Sequence, residues 1–269
     1  MDSYEIDQYL LDLKGYLVVE DVLSEEEVRV LNELIDNQEL PNPEEQIRFG
    51  SAAGAHPERP GFLEWGSPFC NLLDHSKIMP ILRLRLGDCF RLDRIYGLHM
   101  RKGMSRGKLH ADYGATAPNS GARGGEYFHL NDSRSLNGFL VVSWNLTLSG
   151  PGSGGFCCIP GSHKSNFKLP NKIAEAPEES DCFVIPDAPA GSVTLFSEAL
   201  THGTAAWTAK HDRRALLFKY CVSELAWSAN RVRPPETVCL SPRQKILFRE
   251  PADPHRHFPS LFEEGLSPS

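Results

Sequence analysis

Phe139-Leu140-Val141-Val142-Ser143-Trp144-Asn145-Leu146-Thr147-Leu148 is the stretch with the clearest period in this chain. Its apolar side chains recur at every second residue from Leu140 to Leu148, as expected of a β-strand with one buried face. Further short β-type runs follow it, separated by Gly, Pro and Asn: Gly155–Ile159, Ser192–Ser197 and Ala215–Val222. Many short strands of this kind favour a sandwich or jelly roll over a parallel sheet. We therefore predict a mainly β core.

Helical patterns lie on the N-terminal side of this core. Ser24 and Glu27 have the spacing of a capping box, and apolar residues at helical intervals follow as far as Ile35. We predict further helices over the opening dozen residues and from Asn71 to Leu86. Two strands are also predicted, at Gly15–Val19 and from Asp93 to Met100. The Pro, Gly and charge between residues 41 and 68 predict a long irregular loop.

The chain shows no internal repeat, low-complexity tract or linker that would divide it. A length of 269 residues is compatible with one large domain. We therefore expect a single domain over residues 1–269. N-terminal helices would occupy about 1–90, the β core about 91–225 and a C-terminal extension about 226–269.

Composition limits the classes of partner. The net charge is -7, which argues against nucleic acid because phosphate binding needs a concentrated basic face. The segment Arg101 to Lys108 holds four cations. We interpret it as a solvated loop edge, and contact with an anionic substrate is the alternative. No stretch has the roughly 18 apolar residues of a membrane span. The N-terminus is acidic and the seven cysteines are scattered along the chain, so we expect a soluble cytoplasmic protein with reduced thiols. We expect either a monomer or a homodimer.

Candidate metal ligands occur in two separate segments. His110 and Asp112 form an H-x-D, and side chains at this spacing on a strand share one face. A later strand-like run ends in His202-Gly203. Two imidazoles and one carboxylate are the facial triad of non-haem Fe(II) oxygenases, which leaves positions open for a chelating keto acid and O2. A structural zinc site, closed by four ligands, is the weaker interpretation.

A cationic pair follows His202 at the start of another strand-like run. Arg213 comes eleven residues after His202, and a guanidinium inside a β barrel needs an anion. The distal carboxylate of 2-oxoglutarate would provide one, whereas the alternative is an ordinary surface arginine. Strand alternation instead aligns Arg214 with the more apolar residues of this run. The choice between Arg213 and Arg214 therefore stays open.

The motifs together resemble the phytanoyl-CoA hydroxylase-like family of Fe(II)- and 2-oxoglutarate-dependent dioxygenases. They run in family order across about residues 14–222: Lys14-Gly15-Tyr16-Leu17-Val18-Val19 before a capped helix, His110-x-Asp112, Gly154-Gly155-Phe156 leading to Pro160-Gly161-Ser162-His163-Lys164, and His202-Gly203 with Arg213. The resemblance implies a double-stranded β-helix, the cupin-like jelly roll. It also implies iron between His110, Asp112 and His202, with Arg213 on the far carboxylate of 2-oxoglutarate. Trp144 and Thr204 match positions that line the co-substrate pocket in relatives.

Other polar side chains near these motifs are given structural roles. We expect His163 to stabilise its turn, and Tyr96 and His99 to belong to a packed strand. The segment from Tyr113 to Ser135, rich in Gly, Asn and Ser, is predicted to be a lid beside the iron.

The resemblance implies an oxygenase that hydroxylates an unactivated C–H bond of a small molecule, releasing succinate and CO2. A natural-product intermediate, an amino acid or an acyl or anionic metabolite would be the substrate. Asp112 favours hydroxylation, because related halogenases have a small residue there, whereas desaturation, epoxidation and rearrangement stay open. Three other classes also stay open: a cupin-type metalloenzyme without 2-oxoglutarate, a protein hydroxylase, and a non-catalytic jelly-roll binding module.

Overall fold

The computed structural model of the protein describes residues 3–52, 60–112, 129–131, 134–136, 138–165, 167–228 and 230–266, with only the backbone for residues 3, 129–131 and 134–136. Within them the α-helices are α1 (Ser3–Lys14), α2 (Glu25–Asp36), α3 (Ser67–Cys70), α4 (Met79–Leu86), α5 (Asn171–Glu175) and α6 (Pro242–Leu247). The strands are β1 (Tyr16–Val19), β2 (Arg48–Ala52), β3 (Phe90–Met100), β4 (His129–Asn131), β5 (Arg134–Leu136), β6 (Phe139–Asn145), β7 (Gly155–Cys158), β8 (Val193–Ser197), β9 (His202–Ala205) and β10 (Arg213–Val222).

One large antiparallel sheet dominates the molecule. Its strand order is β1-β8-β6-β10-β3-β2, and β7 with β9 forms a second small sheet. A third, two-stranded sheet pairs β4 with β5. Because strands distant in sequence are neighbours in the large sheet, the chain crosses repeatedly between layers, as in a jelly roll. The predicted mainly β class with flanking helices is confirmed.

The two faces of the large sheet are both buried. Its outer face carries Trp144, Phe218 and their neighbours, which pack against the N-terminal helices and the C-terminal segment in the main core. Its inner face carries a second apolar cluster that includes Tyr96 and Leu217. Every residue of β6 is buried, so both faces of this strand are buried, whereas the alternation predicted only one buried face. The inner face is the one available to a site.

The helix predictions are confirmed at α1 and α2. Ser24 Oγ accepts a hydrogen bond from the Glu27 backbone N–H, and the Glu27 carboxylate accepts one from the Ser24 N–H, which is the predicted capping box. The helix predicted from Asn71 to Leu86 is wrong in its first half, because only α4 is helical and turns precede it. Pro80 in the first turn of α4 suits a helix start and cannot continue an earlier helix.

The loop predicted between residues 41 and 68 is more ordered than expected. It contains β2, a 3₁₀ turn at Gly61–Trp65 and the start of α3. Strand β2 pairs with β3 at the edge of the large sheet, where the Phe49 ring packs on Gly97. A Cβ on Gly97 would lie 2.2 Å from that ring, so only glycine permits this approach.

The structure bears on the expected reduced thiols and on the expected lack of a membrane span. All seven cysteines lie in the described part of the chain, and each has a free thiol. Among the described helices, none is both long and apolar enough to cross a membrane.

Candidate metal and co-substrate site

Backbone pairing brings the two metal-ligand segments together. Residues 107–112 run antiparallel to residues 198–204, and His110 and His202 exchange backbone hydrogen bonds of 2.9 and 2.8 Å. The Asp112 N–H donates to the Glu198 carbonyl at 2.9 Å. As a result, one ligand atom from each of His110, Asp112 and His202 lies within 4.8 Å of the other two. A single ion can contact all three.

Hydrogen bonds orient both imidazoles for metal binding. His110 Nδ1 lies 3.0 Å from the Lys108 carbonyl, and His202 Nδ1 lies 2.7 Å from the Leu200 carbonyl. A carbonyl oxygen can only accept, so each Nδ1 carries the hydrogen and each Nε2 keeps a free lone pair. Burial, together with the neighbouring His110, lowers the pKa of His202 to about 4, so the His202 ring is neutral at pH 7. A neutral imidazole is the form that binds metal.

A buried ammonium lies beside the carboxylate ligand. Lys219 Nζ is 2.9 Å from Asp112 Oδ2 and 2.9 Å from a Glu198 oxygen. Burial alone would raise the pKa of Asp112, but the hydrogen bond from Glu198 and the charge of Lys219 lower it well below its usual range. Burial raises the pKa of Glu198 far above its usual range. Asp112 is therefore ionised, and Glu198 holds the proton that the pair shares.

The ligands open into a cavity of about 410 Å³ inside the jelly roll. This volume lies in the range of small-molecule sites. Its apolar wall includes Phe156, Phe196 and Leu217, and the Phe196 ring centroid lies 4.7 Å from that of His202. This apolar wall restricts water on the His202 side of the metal site.

Arg213 lines this cavity, and it is almost completely buried at 3% exposure. Its Nε has no hydrogen-bond acceptor among the described residues, and its Nη1 only approaches the Met100 sulfur at 3.5 Å. Burial without an anion lowers the pKa of the Arg213 guanidinium to about 10. A buried cation of this kind needs an anionic ligand.

Arg214 points away from the cavity. Its guanidinium forms an ion pair of 2.6 Å with Asp36 and hydrogen bonds to Asn32, both on α2. The sequence pattern left the choice between the two arginines open because the more apolar face of β10 is the face packed on the helices. The inner face contains the polar cavity, and Arg213 lies on that face.

The two remaining predicted pocket residues have different positions. Thr204 lines the cavity. Trp144 does not: it is fully buried on the outer face of β6, with edge-to-face contacts to His75 and Phe218. Its neighbour Ser143 faces the cavity instead. The assignment of Trp144 to the pocket is therefore corrected, since adjacent residues of a strand face opposite sides.

Several cavity residues were not assigned from the sequence. Lys219 was missed, and so was Glu198, which contacts Lys219 outside the cavity lining. A lysine inside the apolar run Ala215–Val222 is a usable indication of a buried charge. Tyr96 was interpreted as packed core, but it lines the cavity, as do Arg48 and Arg94. Arg106 also lines the cavity, although its cationic segment was interpreted as a solvated edge. It donates hydrogen bonds to the carbonyls of residues 174 and 175.

Two other expectations concern neighbouring segments. His163 Nε2 lies 2.8 Å from the Asp12 carbonyl, which agrees with a structural role in its turn. His99 is buried outside the cavity, with Nε2 2.8 Å from Asp212. The predicted lid from Tyr113 to Ser135 lies outside the described residues, apart from short backbone segments.

Comparison with known proteins identifies similar sequences and folds. A family model described as phytanoyl-CoA dioxygenase matches residues 11–215. No curated protein matches the chain by sequence. HygX from Streptomyces hygroscopicus, solved with nickel and 2-oxoglutarate bound, has a TM-score of 0.66 and 21% identity, covering 82% of this chain and 88% of HygX.

Two further solved structures share the architecture. EctD from S. alaskensis, with bound Fe, has a TM-score of 0.58 and 19% identity, covering 87% of this chain and 80% of EctD. SnoN from nogalamycin biosynthesis, a non-haem α-ketoglutarate-dependent epimerase, has a TM-score of 0.56 and 18% identity, covering 82% of this chain and 83% of SnoN. These similarities concern the fold, and they confirm the predicted double-stranded β-helix.

Proposed function

The chain belongs to the phytanoyl-CoA dioxygenase family of non-haem iron, 2-oxoglutarate-dependent enzymes, and from this we propose that it hydroxylates an unactivated C–H bond of a small molecule. In the proposed reaction one atom of O2 enters the substrate as a hydroxyl group. The other enters 2-oxoglutarate, which loses CO2 and becomes succinate. The observation that carries the proposal is the triad of His110, Asp112 and His202 at one end of a cavity that also holds the unpaired Arg213.

The donor set fits iron(II). Two imidazoles and one carboxylate, with ligand atoms within 4.8 Å of one another, match the facial triad, which would leave coordination positions for the keto acid and O2. When bound, iron and 2-oxoglutarate together supply O2 activation coupled to decarboxylation of the keto acid. A closed tetrahedral zinc site would need a fourth protein ligand, and among the described residues the cluster has three.

The chain's own residues have distinct tasks in this proposal. His110, Asp112 and His202 would hold the metal, and Arg213 would bind the distal carboxylate of 2-oxoglutarate through its fork of N–H donors. Thr204, on the cavity wall, is a further candidate contact for the co-substrate. Lys219 holds one Asp112 oxygen at 2.9 Å, which leaves the other oxygen for the metal. Phe156, Phe196 and Leu217 would restrict water around the reacting atoms.

Arg213 also separates this proposal from the cupin alternative. An enzyme that uses the same triad without a keto acid has no need of a buried guanidinium lacking an acceptor, since such a group is costly. The unpaired Arg213 therefore favours 2-oxoglutarate over a metalloenzyme that does without it. A non-catalytic binding module likewise gives no reason for a three-ligand cluster beside that arginine.

Anaerobic titration of the metal-free protein with iron(II) and then 2-oxoglutarate tests the proposal. We expect the weak visible charge-transfer absorption of the chelated keto acid in the native protein and its loss in His202→Ala. Arg214→Ala changes the arginine next to Arg213 but outside the cavity, and as the control it should keep the absorption. A folded, iron-loaded native protein that shows neither this absorption nor 2-oxoglutarate binding would contradict the proposal.

The reaction type needs its own measurement. After a screen that detects substrates by succinate release, the product mass discriminates hydroxylation from desaturation and from epimerisation. Hydroxylation adds one oxygen atom, desaturation removes two hydrogen atoms, and epimerisation leaves the mass unchanged. We expect the gain of one oxygen.

A further inference from the structure

Arg94 on β3 is a second cavity guanidinium for which no described residue provides an ion-pair partner. It lines the same cavity as the metal ligands, and its Nε is inaccessible to solvent and has no hydrogen-bond acceptor among the described residues. Strand pairing places it directly opposite Lys219 of β10. Arg94 is partly buried, and its inaccessible Nε–H is a donor that an anionic ligand in the cavity would satisfy.

The carboxyl groups of Asp112 and Glu198 are already engaged. Lys219 Nζ contacts both Asp112 and Glu198 at 2.9 Å, and Asp112 also belongs to the metal-ligand cluster. Glu198 contacts Lys219, and among the described residues no ion pair joins Glu198 to Arg94. Within the described residues, therefore, the charge of Arg94 is not balanced by the cavity wall.

Two more donors lie beside Arg94. Tyr96 follows it on the same face of β3, is 8% exposed and lines the cavity. Arg48 of β2 lies over the Tyr96 ring, with its Cζ 4.6 Å from the ring centroid, and also lines the cavity. No described carboxylate forms an ion pair with Arg48, although Glu44 and Glu45 lie on the exposed rim nearby.

This donor group is separate from the proposed 2-oxoglutarate anchor. Arg213 pairs with Met100 at one end of β10, whereas Lys219 pairs with Arg94 near the other end. Six residues of extended strand span about 20 Å, so the backbone positions of Arg213 and Arg94 lie about that far apart. The Lys219 ammonium, 2.9 Å from Asp112 and 6.0 Å from the Tyr96 ring centroid, connects the Arg94 end to the metal ligands.

We propose that Arg94, Arg48 and Tyr96 form a subsite for an oxyanion group, a carboxylate or a phosphate, on the primary substrate. The inference rests on the proposed function, because it assumes that 2-oxoglutarate occupies the Arg213 end. Arginine forks match the paired oxygens of both groups, and the phenol adds a neutral donor. The exposed Glu44 and Glu45 would repel further negative charge at the rim, so the substrate carries one such group near the oxidised carbon and is not a polyanion.

Calorimetry on the anaerobic complex with iron(II) and saturating 2-oxoglutarate tests the subsite, with inorganic phosphate and acetate as separate probes. We expect one of the two anions to bind at one site, and the one that binds identifies the group. Arg94→Gln should weaken that binding about tenfold or more, and Arg94→Lys should weaken it less. Arg101→Gln is the control, because Arg101 is exposed beside Asp212 and outside the cavity lining.

The visible absorption of bound 2-oxoglutarate in every variant shows that the protein is folded and that the Arg213 end is occupied. If neither anion binds to the native complex, or if Arg94→Gln binds the anion as well as the native protein does, the subsite assignment is wrong. Absence of the absorption from the native protein would instead contradict the proposed function. The two failures are therefore distinguishable.

Discussion

Arg213 and Arg214 are neighbours in the chain with opposite environments, and this makes them a matched pair of test sites. Arg213 is buried in the cavity without an anion, whereas Arg214 binds Asp36 on the outside of the sheet. We predict that Arg213→Ala weakens 2-oxoglutarate binding about 100-fold, since a bidentate charged pair contributes roughly 3 kcal/mol. Arg214→Ala should leave that affinity unchanged and lower the free energy of unfolding by about 1 kcal/mol at most. Equal effects on 2-oxoglutarate binding would contradict the assignment.

The contacts of Lys219 predict a strong effect on stability. Among the described residues, Lys219 is the only cation in an ion pair with Asp112 or Glu198, so its removal leaves the Asp112 charge uncompensated in the metal-free protein. We expect Lys219→Met to lower the free energy of unfolding by roughly 3–5 kcal/mol in urea denaturation. The double variant with Glu198→Gln should lose less than the sum of the single variants, because the residues interact directly.

A matched control for Lys219→Met is Lys164→Met. Lys164 forms a partly exposed ion pair of 2.7 Å with Asp12, and its loss should cost under about 1 kcal/mol. A similar small cost for Lys219→Met would show that the buried network contributes little to folding.

The sequence identified the ligands of the candidate metal site more readily than their surroundings. His110 and Asp112 are close in the chain and share a face by strand geometry, and His202 ends a recognisable run. Lys219, Glu198 and Arg94 were not found, because their importance depends on contacts between distant strands. Local pattern cannot distinguish a buried cation with partners from one without them.

At the scale of elements, the seating of β2 against β3 depends on one glycine. Phe49 lies against Gly97, where a Cβ would approach the ring to 2.2 Å. We predict that Gly97→Ala lowers the free energy of unfolding by about 1–3 kcal/mol through overpacking, and that Phe49→Leu in the same chain restores part of it. Because β2 carries Arg48, the variant should also weaken anion binding at the proposed subsite while metal affinity is retained. Urea denaturation and calorimetry provide the two measurements.

If Phe49→Leu gives no recovery in the Gly97→Ala background, the destabilisation does not arise from this contact. The single variant Phe49→Leu is the necessary reference, because it leaves a small gap over the glycine and should be only mildly destabilising.

The elements themselves were predicted well where the period was clear and poorly where pairing was long-range. Strand β6 and helix α2 follow directly from alternation and from the capping box. Strand β2 lies in a stretch rich in Pro, Gly and charge, and it forms because the edge of β3 accepts it. The misplacement of Trp144 has a related cause: alternation separates the two faces of β6, but both are buried, and the more apolar one packs on helices.

At the scale of the whole molecule, buried groups with shifted pKa values make folding stability depend on pH. Burial lowers the pKa of His163 and of His202 to about 4. Unfolded histidines titrate near 6.5, so between about pH 6.5 and 4 the unfolded chain binds protons that the native state does not. The stability from both groups is complete above pH 6.5 and is lost as pH falls. Burial of Glu198 raises its pKa and opposes this trend with one proton.

His163 allows one part of this dependence to be isolated, because it lies outside the metal site in the turn after β7. We predict that the free energy of unfolding of the metal-free protein falls as pH decreases from 6.5 to 4.5, and that His163→Gln reduces this slope by up to roughly 1.4 kcal/mol per pH unit. Urea denaturation at several pH values in the presence of a chelator measures the slope. His255→Gln, at an exposed histidine, should keep the native slope. A native slope in His163→Gln would mean that the folded protein binds a proton at His163 as readily as the unfolded chain does, and that burial of this ring does not limit stability in acid.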